Sequence, residues 1–153
     1  MRRWIIYAAV IAALGFSPLR GMDISELSPV QTVWLSEEKG QVYLQTDAGD
    51  FGVGADIEEA LSDLNKSATG VVFLETADYL IIEAGREDLL AQANEVFRPG
   101  CMACTAEKKP DLQKATAYLR IHEPSATLRQ WCVEKNKLQQ LLENNGRFSW
   151  RDG

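Results

Sequence analysis

Thiols and imidazoles are scarce in this chain: three cysteines, the first at Cys101, and a single histidine, His122, in 153 residues. With no cysteine near the amino terminus, a lipid-modified start is excluded. An odd number of thiols also leaves at least one outside any intrachain disulfide. Basic clusters are missing too. Beyond residue 21 the one adjacent basic pair, Lys108 and Lys109, runs directly into Pro110 and Asp111, so no stripe of cations exists to track a phosphate backbone, and no nucleic-acid partner is expected. No GxSxG or comparable nucleophile turn occurs, so hydrolysis by an activated serine has no support. Gly49, Gly52 and Gly54 spell GxxGxG, the reverse of the dinucleotide fingerprint, and read as turn and bulge glycines. Asp47, Asp50 and Asp56 lack the alternating oxygens of a calcium loop, and the neighbours Glu37–Glu38 and Glu58–Glu59 point apart on a solvated surface. Internal repeats and low-complexity segments are absent.

One long apolar run is present, at the very start. Arg2 and Arg3 precede an unbroken stretch from Trp4 to Phe16, followed by Ser17, Pro18, Leu19, Arg20 and Gly21. A charged start, an apolar core and a polar exit are what the export machinery accepts, so residues 1–21 read as a signal peptide or a membrane anchor. Trp4 to Leu19 makes about 24 Å of helix against a hydrocarbon core of about 30 Å, short for a span unless the flanking arginines snorkel. No convincing AxA site stands where cleavage would fall, and both alternatives stay open. Either way residues 22–153 are expected to form a single domain outside the cytoplasm, exported and membrane-anchored or secreted. Without Arg2, Arg3 and Arg20, about 13 basic residues face the 22 acidic ones, a formal charge of about −9 that favours solubility and repels anionic headgroups.

The pattern beyond Pro29 starts with Val30–Ser36, rich in β-branched and aromatic residues, a charged turn ending at Gly40, the alternating Gln41–Thr46, a second turn over Asp47–Asp50, and Phe51–Gly54. A three-stranded meander follows. Asp56 with Glu59 three residues on predicts a capped helix whose stripe is Ile57, Ala60, Leu61 and Leu64. Val71–Leu74 and Tyr79–Ile82 read as interior strands buried on two faces. A helix over Arg86–Phe97, a strand over Cys101–Thr105, and a helix opened by Pro110 and Asp111 come next. The tail is ambiguous: Leu138, Leu141 and Leu142 suit a last helix capped by Gly146, while Thr127–Val133 suits an extended segment as well. This order predicts an α/β (α+β) fold, a single mixed β-sheet with helices packed on one face, preceded by the amino-terminal hydrophobic leader helix.

In texture the chain resembles the amino-terminal domain of the Ger(x)C subunit of spore germinant receptors. A hairpin with a charged, glycine-bearing turn, here Ser36–Gln41, precedes a helix start of the type G-x-T-I-x-E-A, here Gly54 Ala55 Asp56 Ile57 Glu58 Glu59 Ala60. Strands similar to Val72–Leu74 and Leu80–Ile82 and a helix follow, over roughly residues 24–105. The resemblance implies an exported, membrane-associated, non-catalytic protein of spore germination or the envelope. Family members are typically lipoproteins of three domains, and this chain has no lipid-acceptor cysteine. No functional residue carries over.

One constellation has the elements of chemistry. Cys101, Cys104, His122 and Cys132 supply four soft ligands, the number a structural zinc takes, although CxxC, then seventeen residues to His122 and nine more to Cys132, matches no familiar finger. For redox work the CxxC should open a helix, yet it precedes Thr105, Ala106 and Glu107. Buried structural thiols and a disulfide are the plainer alternatives. Trp131, Phe148 and Trp150 form either an aromatic docking patch or part of the core. The expectation is therefore a non-catalytic binding or assembly protein, with no enzyme activity and no cofactor, meeting the membrane through its amino-terminal segment and a protein partner through a sheet edge or the aromatic tail. The alternative is a small exported thiol or zinc protein using Cys101 and Cys104.

Overall fold

The computed structural model describes residues 27–68, 70–135 and 137–151. Alternating burial builds the expected meander. Strand β2 (Thr32–Glu38) turns through Lys39 and Gly40, both at positive φ, into β3 (Gln41–Thr46), which pairs in turn with β4 (Phe51–Gly54). Helix α1 (Ile57–Ser67) begins at the expected cap: Asp56 accepts from the Glu59 N–H at 2.8 Å, and the Glu59 carboxylate accepts from the Ala55 N–H at 2.7 Å. These two bonds satisfy amides that have no partner inside the helix.

Strand β6 (Tyr79–Glu83) inserts parallel to β2, and helix α2 (Leu89–Val96) returns the chain to β7 (Met102–Ala106), parallel to β6. Helix α3 (Leu112–Leu119) is capped by Asp111, whose carboxylate accepts from the Lys114 N–H at 3.2 Å. The short β8 (Ala126–Thr127) pairs with the start of β7, helix α4 (Leu128–Glu134) follows, and β9 (Gln140–Asn144) pairs parallel with the end of β7. Strand β10 (Arg147–Arg151) closes a hairpin with β9. The sheet reads β10-β9-β7-β6-β2-β3-β4, with β8 beside β7.

The single mixed α/β sheet with packed helices is as expected, but the helices are not confined to one face: three cover one face and one covers the other. Val33, Leu35, Leu44, Leu80, Ile82 and Ala103 point toward α1, α2 and α4. Trp34, Ile81, Cys104 and Ala106 point the opposite way, where Leu112, Ala115 and Leu119 of α3 cover them. A strand such as Tyr79–Ile82, apolar at every position and buried throughout, requires a layer on each side.

Two segments depart from the sequence reading. Val71–Leu74 is not an interior strand: only β5 (Val71–Val72) is extended, paired with β1 (Leu27–Ser28) outside the main sheet, and a 3₁₀ turn over Leu74–Thr76 follows. Its apolar character comes from packing, since Val72 and Leu74 are buried in the core beside α1. Leu138–Leu142 does not make a helix, because Asn145 and Gly146, at φ of +52° and +74°, form the two-residue hairpin turn between β9 and β10. The segment Thr127–Val133, in turn, is the capped start and body of α4 and not extended. The leader, residues 1–21, lies outside the described residues; among those described, no helix is long and apolar enough to cross a membrane.

Candidate interaction surface

The four soft side chains singled out from the sequence are not brought together. Residues three apart on a strand face opposite sides, so Cys101 lies in the core beneath α2 and α4 and Cys104 in the core beneath α3. Burial pushes the Cys101 thiol from 9.0 up to about 12, partly offset by the nearby Arg98 and reinforced by Asp78, and burial raises Cys104 further. Both are therefore protonated, unreactive groups at neutral pH. Cys132 sits half-buried on α4, against the first core, and all three thiols are free. His122 is exposed just past α3, its ring 4.6 Å from that of Tyr118. Among the described residues, no three His, Cys, Asp or Glu side chains converge where one metal ion could be held.

The aromatic tail is likewise divided. Trp131 packs against the first core, with the Lys135 ammonium 3.9 Å over its ring. Phe148 and Trp150 stand on the other face, where Tyr118 of α3 meets both, with ring centroids 5.6 and 6.0 Å apart. Tyr118 is a residue the sequence reading missed. Its signal was its position one turn before His122, on the face of α3 that also carries Ala115 and Leu119.

The two ends of the sheet differ in a way that matters for partners. At β4 each outward-facing residue has one backbone group engaged by α1: the Val53 N–H donates to the Asp63 carboxylate at 3.1 Å, and the Ser67 hydroxyl donates to the Phe51 carbonyl at 3.4 Å. An added strand would have to displace both bonds. At β10 the ladder begins with the pair Arg147–Asn144 beside the two-residue turn, so Arg147, Ser149 and Arg151 exchange hydrogen bonds with β9. The N–H and C=O groups of Phe148 and Trp150 then point outward, and among the described residues β10 pairs with β9 alone.

A second concavity lies at the carboxyl ends of β2, β6 and β7, where open α/β sheets bind ligands. It is a crevice of about 480 Å³ lined in part by Trp34, Tyr43, Gln45, Phe51, Glu107 and Lys109. Two of its charged groups are paired: the Lys109 ammonium donates to Gln45 at 2.8 Å, and Glu37 ion-pairs with Arg86 beside the crevice. No protein-family model matches the chain, no curated protein matches it, and no solved structure matches its fold.

Proposed function

We propose that this chain is a non-catalytic binding or assembly protein acting on the extracytoplasmic face, delivered there and held to the membrane by its opening segment, and engaging a protein partner through the free edge of β10. The observation that carries this reading is the asymmetry of the sheet: one terminal strand has outward groups bonded to Asp63 and Ser67 of α1, and the other, among the described residues, leaves the outward backbone groups of Phe148 and Trp150 without a strand partner. The contacts of Phe148 and Trp150 with Tyr118 give one face of this edge an apolar surface on which an added strand can pack, which supports strand addition. The apolar leader supports an exported location, and the resemblance in element order to the Ger(x)C domain supports a role in the envelope or in spore germination.

The test is site-specific photo-crosslinking in intact cells. A photoreactive residue at Ser149 is expected to trap a partner polypeptide, and one at Val53 on the sealed edge to trap none. Equal labelling from both edges, or none from Ser149, overturns the reading. Protease added to spheroplasts should digest the domain without lysis, and protection of the whole chain would refute the extracytoplasmic placement.

A further inference from the structure

Resting on that reading of β10, the geometry points to the chemistry of the segment that adds to it: an extended stretch of another protein reading acidic, apolar, any residue, apolar, acidic. Arg147 and Arg151 sit four residues apart on β10, both exposed, on the same side of the strand as Ser149. Phe148 and Trp150 point to the other side, toward Tyr118. In an added antiparallel strand, the residues opposite Phe148 and Trp150 make the backbone hydrogen bonds, and those opposite Arg147 and Arg151 fall in the closer non-hydrogen-bonded pairs, where side chains interact most directly. Carboxylates at those two positions meet guanidinium groups, and apolar residues between them continue the Phe148–Trp150–Tyr118 surface.

The other charges around the edge agree with this selection. Arg151 lies 3.4 Å from Glu107, an exposed ion pair that a better-placed carboxylate exchanges at little cost. The Glu143 carboxylate, opposite Phe148 on β9, accepts from the Asp111 N–H at 3.3 Å and so is turned toward α3. Pairing of β10 with a second copy of itself is disfavoured: an antiparallel register centred on Ser149 sets Arg147 of each strand against Arg151 of the other, like charges directly opposite. On a chain of net charge −6, two arginines framing an unpaired edge select an acidic segment.

The experiment uses the full-length chain in a non-ionic detergent and three fluorescent nine-residue peptides whose centres read Glu-Val-Thr-Val-Glu, Thr-Val-Thr-Val-Thr and Lys-Val-Thr-Val-Lys. Anisotropy titrations are expected to rank them in that order, with about a tenfold gap between the acidic and basic peptides. The double variant Arg147→Glu, Arg151→Glu inverts the ranking. Backbone amide exchange at Phe148 and Trp150 slows on binding, and Phe148→Pro, which removes an outward N–H, weakens binding more than Phe148→Ala. Equal affinities for all three peptides with the edge amides protected would overturn the charge rule and leave the edge reading intact. No protection by any peptide defeats both. A dimer in sedimentation that Phe148→Pro dissociates would show that the occupant is a second copy, which also overturns the inference.

Discussion

Replacing Gly52 by alanine probes the close approach of β4 to α1. An ideal Cβ at Gly52 would lie 2.1 Å from the Ala60 carbonyl oxygen and 2.7 Å from both the backbone nitrogen and the Cβ of Leu64, so the obstruction is the backbone of α1 and not a flexible side chain. Ordinary contact needs about 3.4 Å or more, which requires α1 to retreat by about 1.3 Å over β4. A gap of that size forfeits a sizeable part of the packing of Ile57, Ala60 and Leu64, all essentially inaccessible in the native fold. Losing about a third of the burial of Ile57 and Leu64 costs ~1–2 kcal/mol, and residual overpacking adds ~1–3 kcal/mol, for a total near 3 kcal/mol. Thermal unfolding followed by circular dichroism should then show a midpoint lowered by roughly 6–12 °C. Gly100→Ala is the control, since nothing lies within 4 Å of its added Cβ and its φ is not in the left-handed region. The retreat also pulls Asp63 and Ser67 away from Val53 and Phe51, unsealing β4, so the Gly52→Ala protein should self-associate on sedimentation. Indistinguishable midpoints for the two alanine variants would refute the account of how α1 is seated.

Other outcomes follow from the buried thiols, the interior hydroxyls and the last turn. In the native protein at pH 8, a thiol reagent should label about one equivalent rapidly, at Cys132, and all three cysteines in denaturant; rapid labelling of Cys101 or Cys104 would contradict their placement in the two cores. Because folding raises both buried thiol values, the unfolded chain releases those protons first as pH rises above about 9, so each thiol removes about 1.4 kcal/mol of stability per pH unit until its folded value is passed; Cys104→Ala should shallow that decline in denaturant midpoints between pH 9 and 11. The Thr116 and Thr32 hydroxyls meet at 2.6 Å inside the sheet–α3 interface, so Thr116→Val should cost about 1–2 kcal/mol in urea titrations, and adding Thr32→Val should cost less than the sum of the two single changes. Gly146→Ala, at φ of +74°, should lower stability by about 1 kcal/mol and raise amide exchange along β10 first.

Much of the fold was legible because it is local. The meander, the Asp56 cap, the doubly buried Tyr79–Ile82 and the helix opened by Asp111 each announce themselves through alternation, capping chemistry or a continuous apolar run, and each forms as read. The hairpin of β9 and β10 had its signal too, in Asn145–Gly146, but Leu138, Leu141 and Leu142 also fit a helical face, and spacing alone does not separate the two. Val71–Leu74 misled for another reason: an apolar run reports burial without saying whether the burial is in a sheet or under a helix.

Placement was beyond the sequence. Four soft residues suggested a site; a strand over Cys101–Thr105 already sets Cys101 and Cys104 on opposite faces, and only the tertiary structure shows that both faces are covered, so that each thiol is buried in a separate core. The candidate edge was equally hidden, since nothing local distinguishes β4 from β10 as strands. By itself the sequence determined the acidic charge, the apolar run at the amino terminus, the turns, the caps and which residues seek the interior, because these follow from single side chains and short spacings. Only the tertiary structure decided which strand ends the sheet, that α1 bonds to the outer side of one terminal strand, and that Tyr118 packs against the other, because those facts come from pairings between residues far apart in the chain.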